Sequence, residues 1–125
     1  MPSVLIIDDN SSVLQSLEVY LQGEGFSVLL ASDGASGLKQ AAEHPVDIVL
    51  LDIEMPLMSG LKVCEKIKSD PTLRHLPVVM MTGRPLRDLV SQAIAAGAAL
   101  VLGKPFDLDH LRKTLLGQIA PAATQ

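Results

Sequence analysis

Residues 46–60 read VDIVLLDIEMPLMSG, and this stretch decides which fold the rest of the chain can adopt. Its apolar run, residues 48–51, ends at Asp52, and a loop with Pro56 and Gly60 follows. Because the run is continuously apolar and lies between turn residues, it is typical of a strand buried on both faces of a parallel sheet. Asp52 would then lie at the carboxyl end of that strand, where open α/β sheets bind their ligands.

Strand-like and helix-like patterns alternate from one end of the chain to the other. The other apolar runs predict strands at residues 4–7, 26–31, 77–82 and 99–102. Between the runs, apolar residues recur at helical spacing, as in Leu14, Leu17 and Leu21. Five strand–helix units predict an α/β fold, a doubly wound five-stranded parallel sheet with helices on both faces and right-handed crossovers. A closed eight-fold barrel is excluded because it needs about twice this length.

Polar residues and glycines predict where the helices begin and end. Asn10 or Ser11, Asp33 and Asp107 are suited to cap helices, and Gly97 is suited to end one. A helix beginning near Leu86 is predicted to bury Leu89, Val90, Ala93 and Ile94. The last helix is predicted to bury Leu108, Leu111, Leu115 and Ile119.

The composition excludes several classes of protein. With 125 residues, 48% hydrophobic and 19% charged, the chain suits one globular domain, placed at residues 1–120 with a tail or linker at 121–125. A net charge of −4 without a basic run argues against direct binding of nucleic acid. No apolar run is long enough to cross a bilayer, and the single cysteine, Cys64, favours a reducing compartment. We therefore expect a cytoplasmic protein without a membrane segment.

Polar side chains are found where four of the predicted strands end. Asp8 and Asp9 follow the first strand, Asp52 the third, Thr82 closes the fourth, and Lys104 follows the fifth. Because the carboxyl ends of parallel strands share one edge of a sheet, we expect these side chains to lie close together. Each alone has an ordinary explanation, such as a helix cap, a turn or a solvated charge. Those explanations give no reason for all of them to lie at carboxyl ends of strands.

Three clustered carboxylates repel one another unless a cation joins them. At least one pKa among Asp8, Asp9 and Asp52 should rise, and Mg²⁺ held by a few carboxylates and several waters would remove the conflict. A carboxylate can also act as a nucleophile and form an aspartyl-phosphate. Lys104 and Thr82 would then supply a cation and a hydrogen-bond donor to the phosphoryl oxygens. The pattern predicts a site for a phosphoryl group and Mg²⁺, or Mn²⁺ in its place.

These motifs resemble those of a known family over essentially the full length of the chain. The family is the receiver domain of two-component response regulators, of the kind found in chemotaxis regulators. The matching residues are Asp8-Asp9, Asp52 within LLDIEMPLMSG, Thr82 within VVMMTG, and Lys104-Pro105-Phe106 after AIAAGAALVLG. The resemblance implies a flavodoxin-like (βα)5 fold with strand order 2-1-3-4-5. It also implies a cis Lys104–Pro105 peptide bond, which only an X-Pro bond adopts at low cost.

The resemblance also implies a function in a phosphorelay. Asp52 would accept a phosphoryl group from a phosphohistidine on a histidine kinase or a histidine phosphotransfer protein. Asp9, Asp52 and the main-chain carbonyl of Glu54 would bind Mg²⁺ directly, and Asp8 would act mainly through water. The domain would then switch conformation and control a partner or output domain, without turnover of an external substrate.

The expected switch involves the carboxyl ends of the last two strands. Lys104 would pair with the phosphoryl group, and the Thr82 hydroxyl would move to hydrogen-bond it, which would reorganise the loop that begins at Gly83. Receivers often carry a Tyr or Phe three residues before the lysine, and that ring swings inward as the threonine moves. This chain has Val101 there, so the aromatic half of the switch is missing.

Glu54 and Arg84 follow Asp52 and Thr82 by two residues each, at the mouth of the expected site. In the family these positions tune the hydrolysis of the aspartyl-phosphate by guiding or blocking the attacking water. We hypothesise that Glu54 and Arg84 pair across the entrance. The alternative is that both are solvated charges at the rim, where an ion pair contributes only about 0–1 kcal/mol.

Two other classes of function are weighed against a phosphorylated switch. An interaction module that keeps the fold without phosphorylation is favoured only by Val101. A haloacid-dehalogenase-like phosphatase would need two acids spaced by one residue after the first strand, and a flavodoxin would need a Ser/Thr/Gly-rich phosphate loop there. Asp8 and Asp9 are adjacent and would repel a phosphate, so both enzymes fit poorly. The motifs name neither the kinase nor the output partner, and we expect a monomer or a weak dimer.

Overall fold

Five parallel strands form one sheet, and the structure, a computed structural model, describes residues 1–119. The strands are β1 (Ser3–Ile7), β2 (Ser27–Ala31), β3 (Ile48–Asp52), β4 (Val78–Thr82) and β5 (Leu100–Gly103). Their order across the sheet is β2-β1-β3-β4-β5, which confirms the order that the resemblance implies. Each strand agrees with its predicted range to within one residue at either end. The predicted tail at residues 121–125 lies outside the described residues.

Helices connect the strands and cover both faces of the sheet. They are α1 (Ser11–Gly23), α2 (Gly34–Glu43), α3 (Gly60–Ser69), α4 (Val90–Ala96) and α5 (Leu108–Gln118). Asn10, Asp33, Ser59 and Asp107 cap α1, α2, α3 and α5 by accepting hydrogen bonds from backbone N–H groups of the first turn. Between residues 1 and 119, every helix is too short or too polar to cross a membrane.

Each strand supplies side chains to two aliphatic cores, one on each face of the sheet. Val49 and Leu51 of β3 lie in one core together with residues of α2, α3 and α4. Ile48 and Leu50 of the same strand lie in the other core with residues of α1 and α5. Because successive strand residues point to opposite faces, a strand covered on both sides must be apolar at every position. The continuous apolar run before Asp52 is the consequence.

The strands end at nearly the same level along the carboxyl edge of the sheet. In the parallel register Ile7 lies beside Leu51, and Asp52 lies beside Met81. Thr82 of β4 lies beside Gly103 of β5. Residues that close or follow β1, β3, β4 and β5 therefore emerge side by side, and this edge carries the polar residues that the sequence places at strand ends.

The helix before β5 buries fewer side chains than the sequence predicts. Leu89 and Ala93 are buried, but Val90 and Ile94 are 41% and 50% exposed, so their predicted burial is wrong. Each of the two exposed residues follows a buried one directly, and one helical step turns a side chain by about 100°. A short 3₁₀ turn begins at Leu86, where the helix was predicted to start, and α4 begins only at Val90.

The last helix also departs from the prediction at one position. Leu111 and Leu115 are fully buried and Ile119 is half-buried, but Leu108 is 40% exposed. Leu108 is the first residue of α5. The first turn of this helix lies at the carboxyl edge of the sheet, where fewer strand residues cover it.

Gly60, the first residue of α3, lets this helix approach the end of β3 closely. Its N–H donates a hydrogen bond to the Ile53 carbonyl oxygen at 2.9 Å. A Cβ at this position would overlap the Asp52 carbonyl oxygen and lie 2.8 Å from Ile53 Cα. Because both obstacles are backbone atoms, a side chain at residue 60 would displace the segment that carries Asp52.

We expect Gly60→Ala to lower the free energy of unfolding by about 2–3 kcal/mol, because the added methyl group cannot be accommodated without a backbone shift. Urea unfolding at neutral pH measures the change. Gly23→Ala is the matched control, since no atom lies within 4 Å of a Cβ added at the end of α1. The control is expected to be neutral or stabilising by up to about 1 kcal/mol. Equal unfolding midpoints for Gly60→Ala and the unmodified protein would contradict the tight fit.

Candidate functional site

Three carboxylates meet where β1 and β3 end. Asp8 is fully buried, Asp52 is 4% exposed, and Asp9 is exposed to solvent. Each offers one oxygen, and the three oxygens lie within 4.8 Å of one another. The parallel sheet has brought together two acidic motifs that are more than forty residues apart in the sequence.

Lys104 lies between two of these carboxylates. Its side-chain nitrogen, Nζ, is 3.2 Å from Asp8 Oδ2 and 3.3 Å from Asp52 Oδ1. The backbone N–H of Lys104 donates to the Thr82 carbonyl oxygen at 2.7 Å, which ties the lysine to the end of β4. The Lys104–Pro105 peptide bond is cis, as the resemblance implies. One ammonium group therefore serves two carboxylates at once.

The charges of the cluster shift the pKa values of its members. Burial, together with the nearby charge of Asp8, raises the pKa of Asp52 from its ordinary 3.8 to about 6, although Lys104 acts in the opposite direction. For Lys104, burial alone would lower the pKa, but Asp52 and Asp8 together outweigh burial and raise it. The direction of the pKa shift at Asp52 agrees with the rise that the sequence predicts for clustered carboxylates, but burial contributes more to it than repulsion by Asp8 does.

The acidic cluster fits a divalent cation. Three carboxylates lie together, and the one ammonium group among them contacts only Asp8 and Asp52, so the ionised cluster keeps a surplus of negative charge. Oxygen ligands suit Mg²⁺ and Mn²⁺, and the exposed side of Asp9 leaves room for the waters that Mg²⁺ usually retains. Among residues 1–119, no other group of three metal-ligating side chains lies this close together.

Thr82, the last residue of β4, is fully buried and bound to Glu54. Its hydroxyl oxygen, Oγ1, is 2.8 and 3.0 Å from the two carboxylate oxygens of Glu54, and it donates its hydrogen to that carboxylate. The N–H of Gly83 donates to Glu54 Oε1 at 3.2 Å, and the N–H of Arg84 donates to Thr82 Oγ1 at 3.0 Å. The loops after β3 and β4 are thereby joined through one carboxylate.

The hypothesised ion pair between Glu54 and Arg84 is wrong for this structure. The Glu54 carboxylate turns instead toward the Thr82 hydroxyl and the Gly83 N–H, which lie at the end of the neighbouring strand. Arg84 joins the cluster only through its backbone N–H. Two converging donors within hydrogen-bond distance hold a carboxylate better than a mobile side chain at an exposed rim.

Val101 lies half-buried on β5 and packs against the core on the side of α2, α3 and α4. The structure therefore places this residue beside β4, where Met80 is its partner in the strand register. A valine that is already packed inward has no ring to move between solvent and core, which agrees with the missing aromatic half of the switch.

The bond between Glu54 and Thr82 is the feature that the sequence did not predict. A usable signal was present in the strand order, because Asp52 lies beside Met81 and the residues just beyond both strands must emerge together. With the strand order that the resemblance implies, Glu54 and Thr82 are expected near each other at this edge. It does not show which of several nearby donors the carboxylate would choose.

The raised pKa of Asp52 predicts that acid stabilises the metal-free protein. Between pH 3.8 and about 6 the folded state holds a proton on Asp52 that the unfolded state has lost, so stability falls as the pH rises through this range. Asp52→Asn removes this pH-dependent loss of stability, because the amide does not ionise. We expect the variant to gain stability relative to the unmodified protein at pH 7.5, by roughly 1–3 kcal/mol more than at pH 4.

Urea unfolding in the presence of EDTA at the two pH values measures this difference. Added Mg²⁺ should then stabilise the unmodified protein at pH 7.5 more than it stabilises Asp52→Asn, because a ligand stabilises only the state that binds it. A stability difference between the two proteins that is the same at both pH values would contradict the raised pKa.

Comparison with known proteins gives matches along almost the whole chain. A family model for the response regulator receiver domain matches residues 4–116. The chain is 42% identical over 104 residues to the response regulator PleD of Caulobacter vibrioides, covering 83% of this chain and 23% of PleD. It is 39% identical over 110 residues to the transcriptional regulatory protein KdpE of Mycobacterium tuberculosis, covering 88% of this chain and 47% of KdpE. The chain thus spans less than half the length of these two relatives.

Solved structures agree with the sequence matches. The chemotaxis protein CheY4 of Vibrio cholerae superposes with a TM-score of 0.88 at 31% identity, covering 94% of this chain and 98% of CheY4. A CheY-like receiver domain protein of Methanospirillum hungatei gives a TM-score of 0.87 at 25% identity, covering 94% and 93%. The likeness extends from the first strand to the last helix, and the chain belongs to the family of response regulator receiver domains.

Proposed function

We propose that this domain is a phosphorelay receiver in which Asp52 accepts a phosphoryl group in a Mg²⁺-dependent reaction. The observation that carries the proposal is the position of the Asp52 carboxylate, which lies 3.3 Å from Lys104 Nζ and within 4.8 Å of the Asp8 and Asp9 oxygens. A nucleophile, a fixed cation and a metal-binding carboxylate pair are the parts that phosphoryl transfer to a carboxylate requires.

The transfer proceeds by attack of an Asp52 carboxylate oxygen on the phosphorus of a phosphohistidine. The new O–P bond forms while the N–P bond breaks, and the imidazole nitrogen keeps the electron pair and leaves as neutral histidine after taking up a proton. The raised pKa of Asp52, about 6, still leaves its carboxylate mostly ionised at neutral pH. Asp52 is therefore able to act as the nucleophile.

Lys104 keeps its charge throughout the reaction, because the neighbouring carboxylates raise its pKa. It shields the Asp52 carboxylate from the negative phosphoryl group before attack and pairs with a phosphoryl oxygen afterwards. Thr82 supplies a hydroxyl donor from the end of β4. A bound Mg²⁺ would neutralise charge on the phosphoryl oxygens, and we assign its protein ligands to Asp9, Asp52 and the Glu54 main-chain carbonyl, with Asp8 acting mainly through water.

A conformational signal would follow from the movement of Thr82 toward the new phosphoryl group. Gly83 and the loop after it move with Thr82, whereas Val101 contributes no aromatic swing. The signal is therefore carried by the loop between β4 and α4 and by the contacts of Glu54. We expect autophosphorylation and slow hydrolysis of the aspartyl-phosphate, but no turnover of an external substrate.

The partners that this function implies are a histidine kinase or a histidine phosphotransfer protein as donor and an output protein or domain as recipient of the signal. The names of the relatives support this assignment, because PleD is a response regulator and KdpE is a transcriptional regulatory protein. A cytoplasmic location fits such donors and the lone buried Cys64. We do not expect direct contact of this domain with nucleic acid or membrane, and we propose a monomer or a weak dimer.

A second candidate function is a receiver-like interaction module that works without phosphorylation. Val101 in place of the usual aromatic residue is the observation that favours it. The acetyl phosphate experiment described next separates the two candidate functions.

Incubation with acetyl phosphate, followed by intact mass measurement, tests the proposal. We expect the protein to gain one phosphoryl group in the presence of Mg²⁺ and to gain none in the presence of EDTA. Asp52→Asn should gain none under either condition, because the amide is not a nucleophile of comparable strength. Loss of the Lys104 charge in Lys104→Met should slow the gain by a factor of about 100 or more.

Two outcomes would count against phosphorylation at Asp52. A mass gain that persists in Asp52→Asn would place the phosphoryl group elsewhere. No gain in a folded sample under any condition would favour the phosphorylation-independent module. Circular dichroism of each variant shows whether the sample is folded.

A further inference from the structure

The Glu54 carboxylate occupies two hydrogen-bond donors at the mouth of the site. Both of its oxygens lie within hydrogen-bond distance of Thr82 Oγ1, at 3.0 and 2.8 Å, and Oε1 also accepts from the Gly83 N–H at 3.2 Å. A hydroxyl and an adjacent backbone N–H that converge on one anionic oxygen form a small oxyanion site. In this structure the anion it holds is a side chain of the same molecule.

Thr82 cannot serve two anions at once. A threonine hydroxyl has one hydrogen to donate, and here that hydrogen is directed at Glu54. The oxygen also accepts a hydrogen bond from the Arg84 N–H at 3.0 Å, which fixes the orientation of the hydroxyl further. For Thr82 to donate to a phosphoryl oxygen on Asp52, its bond to Glu54 must break.

We propose that Glu54 acts as an internal competitor of the phosphoryl group, holding the Thr82 hydroxyl and the Gly83 N–H until Asp52 is phosphorylated. The proposal rests on the proposed function and adds a specific resting state to it. Phosphorylation exchanges one anion for another on the same donors. Glu54 is thereby a positioning residue that stabilises the unphosphorylated form.

Electrostatics gives this exchange a direction. The phosphoryl group carries more negative charge than the carboxylate it modifies, and it is added two residues away from Glu54 in the sequence. Repulsion between the two anions therefore favours departure of Glu54 once the phosphoryl group is present. Because Glu54 is exposed to solvent, its released carboxylate can be hydrated at once.

Hydrogen exchange at the Gly83 amide tests the contact itself in metal-free, unphosphorylated protein. We expect Glu54→Ala to accelerate exchange by roughly threefold or more, because it removes the acceptor of this N–H. Glu43→Ala is the matched control, since it removes the same charge from an exposed position at the end of α2, away from the site. Unchanged exchange in Glu54→Ala would overturn the proposal whether or not Asp52 is phosphorylated.

The rate of phosphorylation by acetyl phosphate and Mg²⁺ tests the competition. We expect Glu54→Ala to raise this rate roughly threefold to tenfold, as for removal of a charge-assisted hydrogen bond at an exposed site, and Glu43→Ala to leave it unchanged. This increase in phosphorylation rate should be largely lost when Glu54→Ala is made in a Thr82→Ala background. The Thr82 hydroxyl, for which Glu54 and the phosphoryl group compete, is then absent. Glu54→Gln should give a smaller increase, since the amide oxygen can still accept from Thr82.

The alternative is that Glu54 acts only by charge repulsion on the incoming donor. Equal increases in Glu54→Gln and Glu54→Ala, undiminished in the Thr82→Ala background, would establish that alternative and overturn the competition. If Gly83 exchange accelerates but no protein, the unmodified one included, gains a phosphoryl group, the proposed function fails and the competition fails with it, while the contact stands. Increased exchange without any increase in phosphorylation rate would also overturn the competition.

Discussion

The parallel register of the strands is the constraint on which the site depends. Because β1, β3, β4 and β5 end at one level, the side chains that follow them meet although they come from four separate parts of the chain. The register is held by two aliphatic cores that cover both faces, so a slip of one residue would turn apolar side chains out of one core and into the other. The geometry of the site is thus secured by packing below it.

The two cores stabilise the fold, whereas the buried carboxylates of the site are electrostatically unfavourable. Asp8 and Asp52 are both almost fully buried, and one ammonium group, that of Lys104, is shared between them. Burial and the charge of Asp8 raise the pKa of Asp52 to about 6 although Lys104 acts against them, so this one ammonium group does not offset the cost of the buried carboxylates. Such local cost is typical of functional sites, where a strained charge distribution is retained because the bound state relieves it. Under the competition proposed above, the Glu54 contact belongs to the same pattern, since it occupies donors that a phosphoryl group would need.

Most of the fold and of the acidic cluster could be predicted from the sequence. Continuous apolar runs predicted the strands, and the polar residue types at the ends of those runs predicted the site. Both are local patterns that can be read from the sequence. The wrong burial predictions fall in the last two helices, where spacing alone did not settle which apolar residues face the sheet. Val90 and Ile94 have helical spacing that suits a core, but α4 begins only at Val90, after a 3₁₀ turn, and both side chains are exposed. An apolar pattern records which residues could be buried, and tertiary contacts select among them.

By itself, the sequence determined the order of elements, the two faces of the sheet, the family and the meeting of three aspartates, a threonine and a lysine at one edge. The order of elements, the faces of the sheet and the meeting at one edge follow from periodicity, chain connectivity and residue type, whereas the family rests on the resemblance of the motifs to those of receiver domains. Only the tertiary structure decided that Glu54 binds Thr82 and Gly83 rather than Arg84, and that Gly60 has no room for a side chain. Both depend on how closely the segment after β3 approaches the end of β4 and the start of α3, and local patterns do not encode such distances.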